Sequence, residues 1–138
     1  MPKKIYITSF ASISSLGNNS DEIWKNYCLD KSFISKKNVS NNDVFVSKLS
    51  EKEQKEIEEL QFSDSKYKQL DKSVLYAMYV SRNSIQLANW NEKDTFGINI
   101  GSSRGATELF EKYHEEFLKS GKTPTLTSPT TTLGNIST

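Results

Sequence analysis

Cysteine and histidine are nearly absent: Cys28 and His114 are the only ones among 138 residues. A single thiol cannot close an intrachain disulfide, and one cysteine with one histidine is too small a donor set for a zinc site. No charge of one sign predominates. Eighteen basic residues face 17 acidic ones, for a net charge of +1. That balance gives no support to nucleic-acid binding, which shows as a basic excess on one face. No long apolar run is present either, so neither a secretory signal nor a membrane span is expected, and a reducing, cytoplasmic location follows by default. Apolar content is only 35%, below the usual share for a compact domain. This fits a piece of something larger, or a domain that buries surface against a partner.

What is present has order. Lys4 to Phe10, KIYITSF, is built of β-formers on both faces and predicts a buried strand. Asn19 with Glu22 has the spacing of a capping box and opens a helix over about 20–29, with Ile23, Trp24, Tyr27 and Cys28 as its apolar face. On that face Cys28 reads as a packing residue. The polar stretch Ser32 to Asp43 predicts a surface loop, and Val44 to Lys48 a short strand. Ser50 and Glu53 form a second capping box before a highly charged helix, 51–60, expected on the outside with Glu51 and Lys55 paired. The strongest helical pattern runs from Tyr67 to Ala88, with Leu70, Val74, Ala77, Met78, Ser81 and Ile85 on one stripe and Leu75 beside it. Phe96 to Ile100 predicts a second buried strand. Leu109, Phe110, Tyr113 and Phe117 mark a last helix that ends near Gly121, with His114 in its apolar stripe. Strands alternating with helices predict one α/β domain, 1–138, with parallel pairing.

The turn after the second strand, Gly101-Ser102-Ser103-Arg104-Gly105, invites a phosphate-binding reading, but its glycines do not satisfy G-x-G-x-x-G. Gly121-Lys122-Thr123 is no P-loop: Glu116 stands where the first glycine belongs, and a helix precedes it instead of a strand. From the residues alone, this is an α/β domain without a self-contained active site, and no cofactor is implied.

The order of motifs adds a resemblance. KKIYITSFASISSLGNNSDEIWKNYCLDKSFI resembles the opening of a β-ketoacyl-acyl-carrier-protein synthase, with Leu16-Gly17, Trp24 and Lys31-Ser32 in the places of that family's turn, helix and helix ending. Asp30 and Phe33 stand where the family has glycines, before the lysine and after the serine. YKQLDKSVLYAMYVSRNSIQLANW resembles its basic-x-x-Asp helix, with Lys68 and Asp71 in register. FGINIGSSRGATE resembles its strand and Gly-Ser-Gly-x-Gly-Gly turn, and SPTTTLGNIST the small-residue helix before the nucleophile. The resemblance covers essentially the whole chain.

It implies the N-terminal portion of a thiolase-like fold, mostly parallel sheet with flanking helices, incomplete without downstream chain. The chemistry implied is decarboxylative Claisen condensation of an acyl thioester with malonyl-carrier. The partners implied are an acyl carrier protein and a second subunit, in a homodimer or a ketosynthase-type heterodimer with contacts near 130–138. The family's nucleophilic cysteine and its histidines match no position here, so no catalytic residue is assigned. Ser103, Arg104 and Gly105 would line the acyl channel, with Arg104 where the family often has an apolar gate. Alternatively, Arg104 turns away and pairs with Glu108 or with the other subunit. Two other readings stay open: a non-catalytic partner subunit of the chain-length-factor kind, and a free-standing α/β binding module.

Overall fold

The computed structural model describes residues 4–132. They form five helices and one small sheet: α1 Ser20–Tyr27, β1 Ile34–Val39, β2 Asn42–Ser47, α2 Glu51–Ser63, α3 Lys72–Leu87, α4 Thr107–Ser120 and α5 Thr127–Thr131. The class is mixed α/β. The chain divides into two compact units, Met1–Glu58 with Val80–Trp90, and Glu59–Tyr79 with Asn91–Thr138. No helix among the described residues is long and apolar enough to cross a membrane.

In the first unit, both expected caps form. The Asn19 side chain accepts the Glu22 backbone N–H at 2.9 Å and donates to the Glu22 carboxylate at 3.1 Å. Glu22 also presses on the turn before the helix. Gly17 has φ +127°, and a Cβ there would lie 2.8 Å from the Glu22 side chain, so a larger residue would be strained and would displace Glu22. The Asn26 amide ties the same turn down by donating to the Leu16 carbonyl at 2.8 Å. At the head of α2, Ser50 N–H donates to Glu53 Oε2 at 2.8 Å and Glu53 N–H to Ser50 Oγ at 3.3 Å. These two bonds satisfy donors that a helix start otherwise leaves unpaired.

The loop predicted for 32–43 is most of an antiparallel hairpin, in register from Ile34↔Ser47 to Val39↔Asn42. Its two-residue turn has φ 51° at Ser40 and 65° at Asn41. Positive φ at both turn residues gives the twist that such hairpins need. This is the only strand pairing longer than a single bridge among the described residues, and it is antiparallel, as a two-residue connection requires. The parallel sheet expected from 4–10 and 96–100 does not form there: neither segment has a ladder partner, and β-rich side chains make a strand only when another backbone takes up their N–H and C=O groups. Ile5 and Ile7 are 95% and 88% exposed. Ser9 anchors the first segment by donating to the Ser84 carbonyl at 2.8 Å.

The apolar face expected on α1 is not covered. No residue of α1 is buried, Trp24 and Tyr27 stack on each other with centroids 5.9 Å apart, and Cys28 is exposed rather than packed. The charged α2, expected wholly outside, buries Glu53, Ile57 and Leu60. The capping box explains Glu53: the bond to Ser50 draws its carboxylate in against the helix start, although its second oxygen, Oε1, is buried without a hydrogen-bond partner.

In the second unit the long helix starts at Lys72, five residues later than its apolar stripe suggests. Turns occupy 64–70, and Asp71 sets the boundary as described below. Val74 and Leu75 are buried; Leu75, placed beside the stripe by sequence, is fully enclosed. Helix α4 buries Tyr113 and stops at Gly121, whose φ of 67° is left-handed and whose N–H reaches the Phe117 carbonyl at 2.7 Å. Ser128-Pro129 lies in α5, which packs on α4. The rest of the small-residue segment, from Leu133 on, and the subunit contacts expected there lie outside the described residues.

Candidate functional site

The second unit brings the basic-x-x-Asp segment and the glycine-serine turn together at Asp71 and Ser73. Asp71 is 6% exposed. Its Oδ1 accepts the Ser73 backbone N–H at 2.9 Å and the Ser73 hydroxyl at 2.7 Å. This is N-cap chemistry, and it fixes the first turn of α3. Its Oδ2 accepts the Leu109 N–H, in the first turn of α4, at 3.2 Å. Helix α4 needs that bond because its own N-cap residue is Ala106, whose side chain makes no capping bond. One buried carboxylate thus holds the first turns of two helices, and a negative charge at each positive helix end is favourable.

The turn is held from the same side. Ser73 Oγ lies 3.3 Å from the Gly105 carbonyl, which also accepts the Thr107 N–H at 3.0 Å. Within the turn, Gly105 N–H donates to Ser102 Oγ at 2.9 Å. Gly105 has φ 66°, in the left-handed region that glycine enters without a steric penalty. Gly105 and Ala106 are buried. Ser103 and Arg104, at the tip, are exposed. The three residues assigned from sequence therefore separate into a buried anchor and an exposed tip. Ser102, Ser73 and the Leu109 backbone, which hold the turn, were not assigned from sequence. The Asp71-Lys72-Ser73 triplet was the available signal, as an Asp two residues before a Ser at a helix start.

Arg104 makes no ion pair among the described residues. The expected partner Glu108 instead has Lys72 Nζ at 4.0 Å. Beside the turn, a groove of about 420 Å³ is lined by Lys68, Asp71, Lys72, Glu108, Lys112 and Tyr113 among others. Its two signs of charge nearly cancel, which gives no basis for a dedicated anion site. His114 leaves the apolar stripe: it is exposed and stacks on Phe110 at 6.2 Å with nearly parallel rings. Among the described residues no group of three or more His, Cys, Asp or Glu side chains could hold a metal ion.

No family model matches the chain, and neither the curated proteins nor the solved structures contain a significant match to it.

Proposed function

We propose that this chain is the N-terminal segment of a β-ketoacyl-acyl-carrier-protein synthase and has no condensing activity by itself. The observation that carries the reading is the Asp71 carboxylate. It accepts from Ser73, which lies against the Gly105 carbonyl, and from Leu109 just after the turn 101–105, so two segments that resemble the family independently in sequence meet around it. The bare segments 4–10 and 96–100 also support it. Their exposed apolar side chains and unladdered backbone suit strands of a larger parallel sheet, covered on both faces by further chain and a second subunit. On this reading the partners are an acyl carrier protein and a second ketosynthase-type subunit, and the substrates are an acyl thioester and malonyl-carrier.

Ser103, Arg104 and Gly105 would form part of the acyl-channel wall. Glu108 is engaged with Lys72, so nothing described holds the Arg104 guanidinium away from a ligand. A charged guanidinium beside an alkyl chain is costly to desolvate. The channel would then be short, or would take a polar or carboxylated acyl group. The test uses the full-length protein and the 138-residue chain, each with an acyl-carrier thioester and malonyl-carrier. Carbon dioxide release and ketoacyl product are expected from the first and not from the second. Turnover by the short chain that is lost in Cys28→Ala overturns the reading. In the full-length protein, Arg104→Ile is expected to load longer chains than wild type; identical loading profiles remove Arg104 from the channel.

A further inference from the structure

We infer that Asp71 is the positioning residue of the turn that carries Arg104. The conformation of 102–106 is set from the start of α3, not by contacts of the exposed tip. The inference about the turn rests on geometry alone; its consequence for substrate choice rests on the ketosynthase reading above.

The tip has no hold of its own, since Ser103 and Arg104 are exposed and Arg104 has no ion pair among the described residues. The bonds that fix the turn lie behind it. Leu109 N–H donates to Asp71 Oδ2, the Ser73 hydroxyl donates to Asp71 Oδ1 and lies close to the Gly105 carbonyl, and Gly105 N–H donates to Ser102 Oγ. The Ser73 hydroxyl has one proton, and the two oxygens it approaches lie at different distances. The shorter contact, 2.7 Å, goes to the carboxylate and the longer, 3.3 Å, to the carbonyl. A carboxylate is the stronger acceptor, so the proton points to Asp71 and its pull on Gly105 is weak. The firm link to the α4 side is Asp71 Oδ2 to Leu109. Ala106 cannot replace it, because alanine has no side-chain acceptor. Losing the Asp71 charge therefore frees the first turn of α4, and with it the left-handed glycine that aims Arg104.

The experiment follows backbone amides of the 138-residue chain by NMR, for wild type, Asp71→Asn and Ser73→Ala. In Asp71→Asn the Ser73 and Leu109 amide proton shifts both move from their wild-type positions, because one carboxylate accepts from both. Hydrogen exchange at Leu109 and Gly105 speeds up by about ten-fold or more, the loss expected for a bond to a charged acceptor. Amides of 34–47 serve as the folding control and keep their wild-type shifts. Ser73→Ala keeps the Leu109 bond, so it leaves Leu109 protected and keeps the proposal testable if Asp71→Asn unfolds. A Leu109 amide whose shift or protection is unchanged in Asp71→Asn overturns the inference. In the full-length enzyme, Asp71→Asn is then expected to broaden the range of acyl chains loaded. An unchanged range beside a freed Leu109 leaves the positioning role standing and removes the channel assignment.

Discussion

Two aspartates in this chain accept from three and from two donor groups, and their surroundings separate them. Asp43, on the hairpin, takes the Lys36 ammonium and the Asn38 amide, and all three side chains stand in solvent. Asp71 takes two backbone N–H groups and a hydroxyl, almost wholly enclosed. Water replaces the partners of Asp43 at little cost, and long exposed side chains lose entropy to stay paired. The donors that Asp71 satisfies are partly buried, so water replaces the carboxylate there less well than at Asp43, and removing it leaves N–H groups poorly satisfied. The number of bonds therefore says less about stability than the fate of the partners once the bonds are gone.

The comparison is sharpest at Asp71→Ala. Two backbone donors lose their acceptor, and a loss of about 2–4 kcal/mol is expected, from roughly 1–3 for each stranded donor less what water recovers. Urea unfolding measures it; a loss below about 0.5 kcal/mol would put Asp71 with the exposed pairs. Gly105→Ala tests the next link. A Cβ at φ 66° costs about 1–2 kcal/mol whatever the space around it, read from the same urea curves. A neutral result would mean the turn can relax out of its left-handed form. Asp43→Asn is expected to leave the unfolding midpoint unchanged within error.

Acid gives the smallest effect. The Lys36 contact first, and then the Asn38 amide, hold the Asp43 carboxyl below its ordinary range. Lys119 does the same for Glu115 on α4. A group whose folded pKa is depressed adds stability above its unfolded pKa and loses it as pH falls through the folded value. The hairpin pair should therefore persist at neutral pH and let go only on the acid side of the usual aspartate range. Carboxyl carbon shifts during titration should give a lower midpoint in wild type than in Lys36→Ala; equal midpoints would remove the pair's influence.

What was legible in the sequence was local. Asn19 with Glu22, Ser50 with Glu53, and the stop at Gly121 each need only residues within a turn or so of one another, and all three form. The start of α3 is not legible because its apolar stripe continues through Leu70, while the boundary is set by the Asp71 side chain. The hairpin was hidden by composition: Lys, Asn and Ser read as loop, and Ser40-Asn41 lacks the glycine that usually marks such a turn. The segments 4–10 and 96–100 carry strand residues without a ladder, because β propensity expresses fit to a neighbour and not a property of the segment itself. At the candidate site the turn and its tip were readable. Their support from Asp71 and Ser73 was not, since those bonds span 38 and 32 residues.

That span has a kinetic consequence. Helix α4 has no side-chain cap of its own, so its first turn waits for a residue 38 positions earlier to arrive. Closing so long a loop costs chain entropy before the bond returns anything. The Asp71–Leu109 contact should therefore form after the folding barrier is crossed, while the caps at Asn19 and Ser50, made within three residues, can form before it. Destabilising a late contact speeds unfolding and leaves folding almost unaltered. In stopped-flow urea experiments, Asp71→Asn should raise the unfolding arm, whereas Ser50→Ala should lower the folding arm. The long bond then acts as a latch on the finished structure: it sets how long the turn at 101–105 stays closed, not how quickly it is first built.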